Sequence, residues 1–291
     1  MVCAPFSRLA RFLFLAVLPT LAGLIGLAGL WPPAAGAAGE TVLTIPGTGD
    51  SQDLLRLLAE RFRRGNPDIA VDLPDSVGST AGLRLVIGGK AELARTARPL
   101  RDDEIAAGLT QIVFAATPVV FAVHPSVTGV KGVTSAQAQA VFAGHVKNWS
   151  ELGGPDLSVA RVCRETPETS RELLNAAIPG FDVGGCRDQA VAYTTPEAVA
   201  LVAGHPGAAG YFSLAAMAAA NLTPLALDGV APTLENVGRG SYRLVIPFGL
   251  AYKPPLSPAA ARFLQFLSGP DALSLMARLG CLPSPVKPAA P

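Results

Sequence analysis

The sequence has no excess of charge of either sign. Its 291 residues include 23 Lys and Arg and 22 Asp and Glu, for a formal net charge of +1 at pH 7. Proteins that bind nucleic acids through the phosphate backbone carry a basic patch and a basic overall balance. The composition gives no support for such a partner, and we expect no nucleic acid to bind.

Motifs for nucleophilic or metal catalysis are also missing. The three histidines, His124, His145 and His205, are far apart and do not have metal-ligand spacing. The sequence contains neither a G-x-S-x-G nucleophile elbow nor a G-x-x-x-x-G-K-[ST] phosphate loop. We therefore expect a protein that is not an enzyme and that needs no metal or other cofactor.

Cysteine is scarce, with four residues in the chain. Cys3 precedes the long apolar stretch near the N-terminus, so it is not the lipid-bearing cysteine that follows a lipoprotein signal. Cys163 and Cys186 are a candidate disulfide in an oxidising compartment, and buried free thiols are the alternative. Cys281 would be left unpaired.

Long apolar runs are confined to the N-terminus. Arg8 and Arg11 precede an apolar stretch over residues 12–30, and Ala35-Gly36-Ala37 fits an A-x-A cleavage site. We therefore expect residues 1–37 to be a cleavable signal peptide, with an uncleaved anchor as the alternative. An export signal predicts a periplasmic or secreted protein.

Three short polar loops stand where a strand is expected to give way to a helix. They span residues 46–51, 76–82 and 166–171 and contain Gly or small hydroxyl residues. A helix start presents unpaired backbone N–H groups and the positive end of its dipole, a combination that holds small oxyanions without a metal. Ser, Thr and Asp are also ordinary N-caps, so one loop alone is weak evidence. Three such loops together predict a shared anion site.

Strand-like runs alternate with helical patterns along most of the chain. Helices are expected to begin at several caps, among them Thr134 or Ser135, Ser170, Thr195 and Ser257. Strands are expected at residues 41–45, 69–73, 112–115, 118–123, 158–162 and 244–252. This alternation predicts an α/β protein with largely parallel sheets, in which ligands lie at the carboxyl ends of the strands.

Nine short motifs follow one another in the order found in a known family. They are GTGDS at 47–51, GSTAGL at 78–83, ARPL at 97–100, PVVFAV at 118–123, FAG at 142–144, NWSELGG at 148–154, TSRE at 169–172, PGAAGY at 206–211 and DGVAPT at 228–233. With these motifs the chain resembles the phosphate-binding proteins of ABC importers, within the periplasmic solute-binding superfamily. The resemblance extends from residue 41 to residue 283.

The resemblance implies a two-lobed periplasmic-binding-protein fold of the α/β class. Each lobe would be a mostly parallel sheet flanked by helices, with crossing strands as the hinge. Lobe I would comprise residues 38–120 and 224–283, lobe II residues 121–223, and a Pro-rich tail residues 284–291. The protein would be a monomer that captures phosphate or a similar oxyanion in the interlobe cleft and delivers it to the permease of an ABC transporter. A sensor or interaction protein that kept this fold without a transport role is the alternative.

The resemblance also implies which residues bind the ligand. Asp50 could accept a hydrogen from a protonated phosphate, which would discriminate phosphate from fully ionised sulfate. The residues carried over by motif are Thr48, Gly49, Asp50 and Ser51 in the first loop, Ser79 and Thr80 in the second, Arg98 after the second helix, and Thr169, Ser170 and Arg171 in the third loop.

The third loop departs from the family pattern. A Ser-Gly-Ser-Gly-Thr-Arg type of loop is usual, whereas this chain has Thr166-Pro167-Glu168-Thr169-Ser170-Arg171. Two acids, Glu165 and Glu168, would stand beside the anion. We expect Glu168 to point to solvent or to pair with Arg164 or Arg171. The altered loop leaves the identity of the oxyanion open.

Overall fold

The computed structural model describes residues 40–181 and 190–284. The expected signal peptide, Cys186 and residues 285–291 of the expected tail lie outside the described residues. Residues 39–291 form one unit. Within the described part of this unit, none of the helices has both the length and the apolar character that a membrane span requires.

The helices of the described residues begin where the sequence supplies a cap or a proline. Ser257 accepts a hydrogen bond from the backbone N–H of Ala260, and Pro258 occupies the first helical position. The α-helices are α1 Gln52–Gly65, α2 Gly78–Ile87, α3 Asp102–Ala106, α4 Ser135–Ala143, α5 Thr169–Ala177, α6 Thr195–Gly204, α7 Leu234–Gly238, α8 Pro258–Leu267 and α9 Pro270–Arg278.

The strands are short, with the exception of one long strand in the middle of the chain. They are β1 Thr41–Thr44, β2 Ile69–Asp72, β3 Leu93–Thr96, β4 Thr110–Val123, β5 Gly132–Val133, β6 Ala160–Arg164, β7 Ala190–Ala192, β8 Ala208–Ser213, β9 Thr223–Pro224, β10 Ala226–Leu227, β11 Val245–Tyr252 and β12 Leu282–Pro283. The two runs expected at 112–115 and 118–123 are joined in β4.

Strand β4 connects the two halves of the fold. From Thr110 to Pro118 it pairs with β11, and from Val119 to Val123 it pairs with β8. The resulting sheet has the strand order β3-β11-β4-β8-β6-β7. The change of partner at Pro118 and Val119 lies close to the expected lobe boundary. The full lobe ranges stay a prediction, and the names lobe I and lobe II are kept for them below.

The α/β class is confirmed, and the sheets are more mixed than the βα alternation predicts. The pairs β1 with β2, β5 with β10, β6 with β7, and β6 with β8 are parallel. Strands β8, β9, β11 and β12 run antiparallel to β4. Consecutive parallel strands are joined by a crossover that returns the chain to the same end of the sheet. Strands β8 and β11, which flank β4, run in the opposite direction to it and do not have that arrangement.

Aromatic side chains pack the core in each lobe. In lobe I, Phe62 of α1 contacts Phe263 and Phe266 of α8, with ring centroids 5.2 and 5.5 Å apart. In lobe II, Phe142 of α4 contacts Tyr211 of β8 in an edge-to-face arrangement at 5.2 Å. Such pairs add specific geometry to apolar burial and fix the helices against the strands that carry the polar loops.

Two expected helix caps are wrong by one or two residues. Helix α5 is capped by Glu168 rather than Ser170, because the Glu168 carboxylate accepts a hydrogen bond from the backbone of Arg171. Helix α6 is capped by Thr194 rather than Thr195, because Thr194 and Glu197 form a reciprocal capping box. In both cases the observed cap precedes the expected residue in the chain.

Candidate functional site

The loop that follows β1 is held in place by Arg95, a fully buried residue of β3. Burial lowers the pKa of its guanidinium to about 10, so the group remains charged at neutral pH. Sequence analysis missed this residue. Its guanidinium donates hydrogen bonds to the backbone carbonyls of Ile45, Thr48 and Pro74 and to the side chain of Gln52.

The first loop presents a buried carboxylate. Asp50 is only 3% exposed, and its Oδ2 accepts a hydrogen bond from Thr48 Oγ1 at 3.0 Å. The other oxygen, Oδ1, has no hydrogen-bond partner among the described residues. Asp50 is therefore oriented by Thr48 and keeps one acceptor free.

Close backbone contact joins the first loop to the start of α2. A Cβ atom on Gly82 would lie 2.7 Å from Gly47 Cα, closer than real Cβ atoms approach backbone. Gly47 itself adopts φ of 142°, a conformation that favours glycine. The glycines of these two motifs therefore allow two polar loops to pack side by side.

Replacing Gly82 by alanine is expected to lower the free energy of unfolding by about 1–3 kcal/mol, because the new methyl group overpacks a backbone contact. Gly204→Ala is the matched control, since Gly204 ends α6 with open space around its Cβ position. The control should be neutral or slightly stabilising, because alanine has the better helix propensity. Urea unfolding of both variants measures this difference, and equal losses would contradict the packing argument.

The second loop lines the cleft with the first turn of α2. Ser79 Oγ accepts a hydrogen bond from the backbone N–H of Ala97 at 3.2 Å, which leaves its own hydrogen available. Thr80 Oγ1 accepts a hydrogen bond from Arg98 at 3.1 Å. Val77, the N-cap residue of α2, makes no side-chain cap, and residues 76–81 at this helix start line the cleft.

Arg98 reaches the cleft but is already committed to a carboxylate. Its two terminal nitrogens bind Glu104 at 2.8 and 2.7 Å in a bidentate pair. This hydrogen bonding lowers the pKa of Glu104 and raises the pKa of Arg98. Arg98 therefore supports Thr80 and the wall of the cleft, with its charge largely neutralised.

The third loop places Glu168 at the start of α5. Its carboxylate accepts a hydrogen bond from the Arg171 backbone at 2.9 Å and lies 3.5 Å from Arg164 Nη1. Glu168 thus pairs with a neighbouring arginine, one of the two arrangements expected. Burial raises the pKa of Glu168 to about 7, the Arg164 charge opposes this shift, and the negative charge of Asp50 adds to it.

Ser170 and Arg171 follow the cleft-lining Thr169 in the first turn of α5. Ser170 has no exposed area, and Arg171 Nη1 donates a hydrogen bond to the backbone carbonyl of Arg164 at 2.8 Å. Neither residue is among those that line the cleft. Their polar atoms Ser170 Oγ and Arg171 Nε are buried without a hydrogen-bond partner in the described part of the chain.

Together these loops enclose a cleft of about 620 Å³ between residues of lobe I and lobe II. A fourth wall, the segment Tyr193-Thr194-Thr195 at the start of α6, was missed by sequence analysis because its motif is an ordinary capping box. Of the ten residues carried over by motif, the cleft is lined by Thr48, Gly49, Asp50, Ser79, Thr80, Arg98 and Thr169.

Two of the residues with buried, unpartnered polar atoms line the cleft, Asp50 and Glu165, and the other three lie in the same loops. Buried polar groups in proteins are normally hydrogen-bonded, so such atoms mark where a polar ligand would complete the structure. Glu165 Oε2 lies 3.5 Å from Arg164 Nε, although the two do not form a hydrogen bond. Within residues 40–181 and 190–284, the unpartnered buried side-chain atoms are Asp50 Oδ1, Ser51 Oγ, Glu165 Oε2, Ser170 Oγ and Arg171 Nε.

The expected absence of a metal and the expected pairing of the cysteines both stay predictions. The described residues contain no group of three or more His, Cys, Asp or Glu side chains that could hold a metal ion. Cys163 is fully buried and disulfide-bonded, and Cys281 is a buried free thiol. The expected partner, Cys186, lies outside the described residues, so the Cys163–Cys186 pairing stays a prediction.

Known proteins with similar sequences are phosphate-binding proteins by name. The phosphate-binding protein PstS of Bacillus subtilis is 28% identical over 232 residues, which cover 79% of this chain and 76% of the relative. The phosphate-binding protein PstS of Borreliella burgdorferi is 22% identical over 256 residues, covering 84% and 90% of the two chains.

Solved structures show the same fold. A phosphate ABC transporter substrate-binding protein of Clostridium perfringens, described with bound phosphate, is 25% identical with a TM-score of 0.74. The match covers 84% of this chain and 100% of that one. An ABC-type phosphate transport receptor of Vibrio cholerae has a TM-score of 0.59 at 23% identity, covering 83% and 99% of the two chains.

A family model described as the PBP superfamily domain matches residues 32–271. This match spans well over half of the chain and includes every polar loop of the cleft. The chain belongs to the PBP superfamily.

Proposed function

We propose that this protein is an extracytoplasmic solute-binding protein that captures phosphate in the cleft and delivers it to an ABC transporter. The observation that carries the proposal is a set of buried, unpartnered polar atoms at the first and third loops. Asp50 and Glu165 line the cleft, and Ser51, Ser170 and Arg171 are their neighbours in these loops. The names of the relatives and the bound phosphate of the Clostridium perfringens protein support the choice of ligand.

The chemistry of these atoms suits a small tetrahedral oxyanion. Ser51 Oγ and Ser170 Oγ can donate hydrogen bonds, and Arg171 Nε can donate a charge-assisted one. The N-terminus of α2 adds backbone donors and the positive end of its dipole. Asp50 Oδ1 can only accept while ionised, so it selects a ligand that carries a hydrogen.

Binding without catalysis is the activity that fits this site. The relatives are named as binding proteins and a transport receptor. The export signal that the sequence predicts at the N-terminus supports an extracytoplasmic location, and the protein would act as a monomer on its permease. No cofactor is needed to hold phosphate through hydrogen bonds and helix dipoles.

Calorimetric titration with phosphate, sulfate, arsenate and molybdate tests this proposal. We expect phosphate to bind and sulfate to bind about 10⁴-fold more weakly, because a site built around a ligand hydrogen rejects an analogue that lacks it. Asp50→Asn should lose this preference, since an amide can donate to the bare oxygen of sulfate.

Asp53→Asn is the matched control, because Asp53 lies in the first turn of α1, just after Asp50 in the chain, but is half exposed and pairs with Arg56. It should keep the preference for phosphate. Failure of phosphate to bind at millimolar concentration would refute the proposed function. An unchanged preference in Asp50→Asn would remove Asp50 from the site.

A further inference from the structure

Two buried carboxylates from opposite lobes line the same cleft. Asp50 from the first loop is 3% exposed, and Glu168 from the third loop is 7% exposed. They are near enough for the charge of Asp50 to raise the pKa of Glu168. A tetrahedral anion bound by both loops would therefore have carboxylate oxygens on two sides.

The cations around Glu168 are largely engaged by protein groups. Arg164 lies 3.5 Å from each of Glu165 and Glu168 and also donates hydrogen bonds to Ala192 and Thr195. The charged and titratable groups that interact with Glu168 are Asp50 from the first loop, Arg164 from the end of β6, Arg171 from α5 and Tyr211 from β8. Glu165, Glu172 and Tyr193 line the same cleft.

Cations elsewhere in the cleft do not compensate a second negative charge. Arg98 is held by Glu104. Arg101, half exposed at the mouth, lies 3.9 Å from Glu172, and Arg84 is exposed to solvent. Exposed charges are screened by water and salt, whereas the repulsion between a buried carboxylate and an anion is screened far less. A doubly charged ligand would be disfavoured in this position.

Hydrogens on the ligand change this repulsion into hydrogen bonds. A hydroxyl of the ligand that points at an ionised carboxylate forms a short, charge-assisted O–H···O bond. One such hydrogen satisfies Asp50 Oδ1, which has no partner among the described residues. The Glu168 carboxylate already accepts the backbone N–H of Arg171 and lies beside Arg164. A second hydrogen, carried either by the ligand or by the carboxyl group itself, would remove the repulsion between Glu168 and an anion in the cleft.

We propose that Glu168 makes the site selective for the singly charged, doubly protonated form of the oxyanion, so that dihydrogen phosphate binds with one hydrogen directed at Asp50 and one at Glu168. This inference rests on the proposed function and names the ionic form of phosphate that the cleft binds. When the doubly charged form of phosphate is the main species in solution, each binding event takes up one proton. No covalent bond forms or breaks other than this proton transfer from solvent.

The elevated pKa of Glu168, about 7 before the ligand binds, agrees with the proposal. Below this pKa the carboxyl group carries its own hydrogen, and above it the hydrogen must come from solvent with the ligand. One proton taken up per complex changes the affinity tenfold per pH unit. Affinity for total phosphate should therefore fall about tenfold per unit as the pH rises from 7.5 to 9.

The test is calorimetric titration of the full protein with inorganic phosphate between pH 5.5 and 9. The wild type should show the tenfold slope above pH 7.5 and take up one proton per phosphate, counted from the heats in two buffers of different ionisation enthalpy. Glu168→Gln keeps an oxygen that can cap α5 and removes the charge. Its affinity should be nearly independent of pH in that range and at least tenfold above wild type at pH 8.5.

Glu60→Gln, an exposed change on α1, should keep the slope of the wild type. The proton count of the wild type tests the inference even if Glu168→Gln does not fold. Absence of phosphate binding at every pH would refute the proposed function and this inference with it. Binding whose affinity is flat or rises from pH 7.5 to 9 would overturn the inference and leave the proposed function standing. A wild-type slope that persists in Glu168→Gln would also overturn it.

Discussion

Replacing Arg95 by methionine is expected to lower the free energy of unfolding by about 3–5 kcal/mol, the largest loss of stability from a single change near the cleft. The Arg95 side chain is fully buried and satisfies three backbone carbonyls from two segments of lobe I, those of Ile45 and Thr48 after β1 and that of Pro74 after β2. Methionine fills much of the same volume but donates no hydrogen bond. Each buried carbonyl left without a partner costs about 1–3 kcal/mol.

Urea unfolding followed by circular dichroism measures this loss. Arg64→Met is the matched control, because Arg64 is exposed in the last turn of α1. Its effect should stay within about 0.5 kcal/mol, as is usual for surface positions. Arg95→Lys should also be strongly destabilised, since an ammonium group cannot reproduce the planar fork of donors. A loss below 1 kcal/mol for Arg95→Met would show that the first loop does not depend on this residue.

Replacing both Ser51 and Ser170 by alanine is expected to weaken phosphate binding by at least about a hundredfold with little change in stability. A hydrogen bond to a charged ligand contributes about 1.5–3 kcal/mol, and each serine would lose one. Both hydroxyls are buried without a partner among the described residues. Removing a buried hydroxyl that has no partner leaves nothing unsatisfied, so folding should be unaffected or slightly favoured.

Titration with phosphate and thermal unfolding of the same samples separate the two effects. Ser150→Ala is the control, because Ser150 is exposed in a short 3₁₀ helix at residues 149–152. It should change neither affinity nor stability. Weakened binding together with a lower melting temperature would indicate that the two serines act on the fold. Unchanged binding in the double variant would place the ligand elsewhere.

Local signals in the sequence predicted the elements that carry the first two loops. Strand β1, helix α1 and helix α2 each follow from a short apolar pattern and a nearby glycine or polar residue. Local patterns work here because the loops are built by residues that are neighbours in the chain. The joining of 112–115 and 118–123 into β4 could not be read locally, because the two runs pair with different strands.

The buried partners of the site residues could not be predicted from local patterns. Arg95 lies on a strand of four residues, and its acceptors Ile45 and Thr48 precede it by 50 and 47 positions. Arg98 was expected to contact the ligand, and sequence analysis did not predict that it pairs with Glu104. This pair depends on how two side chains meet across a bend in the chain. A contact of this kind depends on packing between elements, which hydrophobic periodicity does not encode.

Glu168 shows the same limit in the third loop. Its charge beside an anion site was evident from the sequence, but its role as the cap of α5 was assigned to Ser170. Glutamate is not among the preferred N-cap residues, so propensity favoured the serine. In the structure Glu168 is buried next to Arg164 and therefore takes the N-cap position of α5, and Ser170 Oγ is left without a partner in the described chain.

A crystal structure of the protein grown with phosphate tests the central claim most directly. The account predicts one tetrahedral anion in the cleft, within about 2.5–3.2 Å of Asp50 Oδ1, Ser51 Oγ, Ser170 Oγ and Arg171 Nε. Contacts from both lobes to the same anion would establish the site. Phosphate bound only at the exposed arginines of the mouth, Arg84 and Arg101, with those four atoms still unpartnered, would contradict the account.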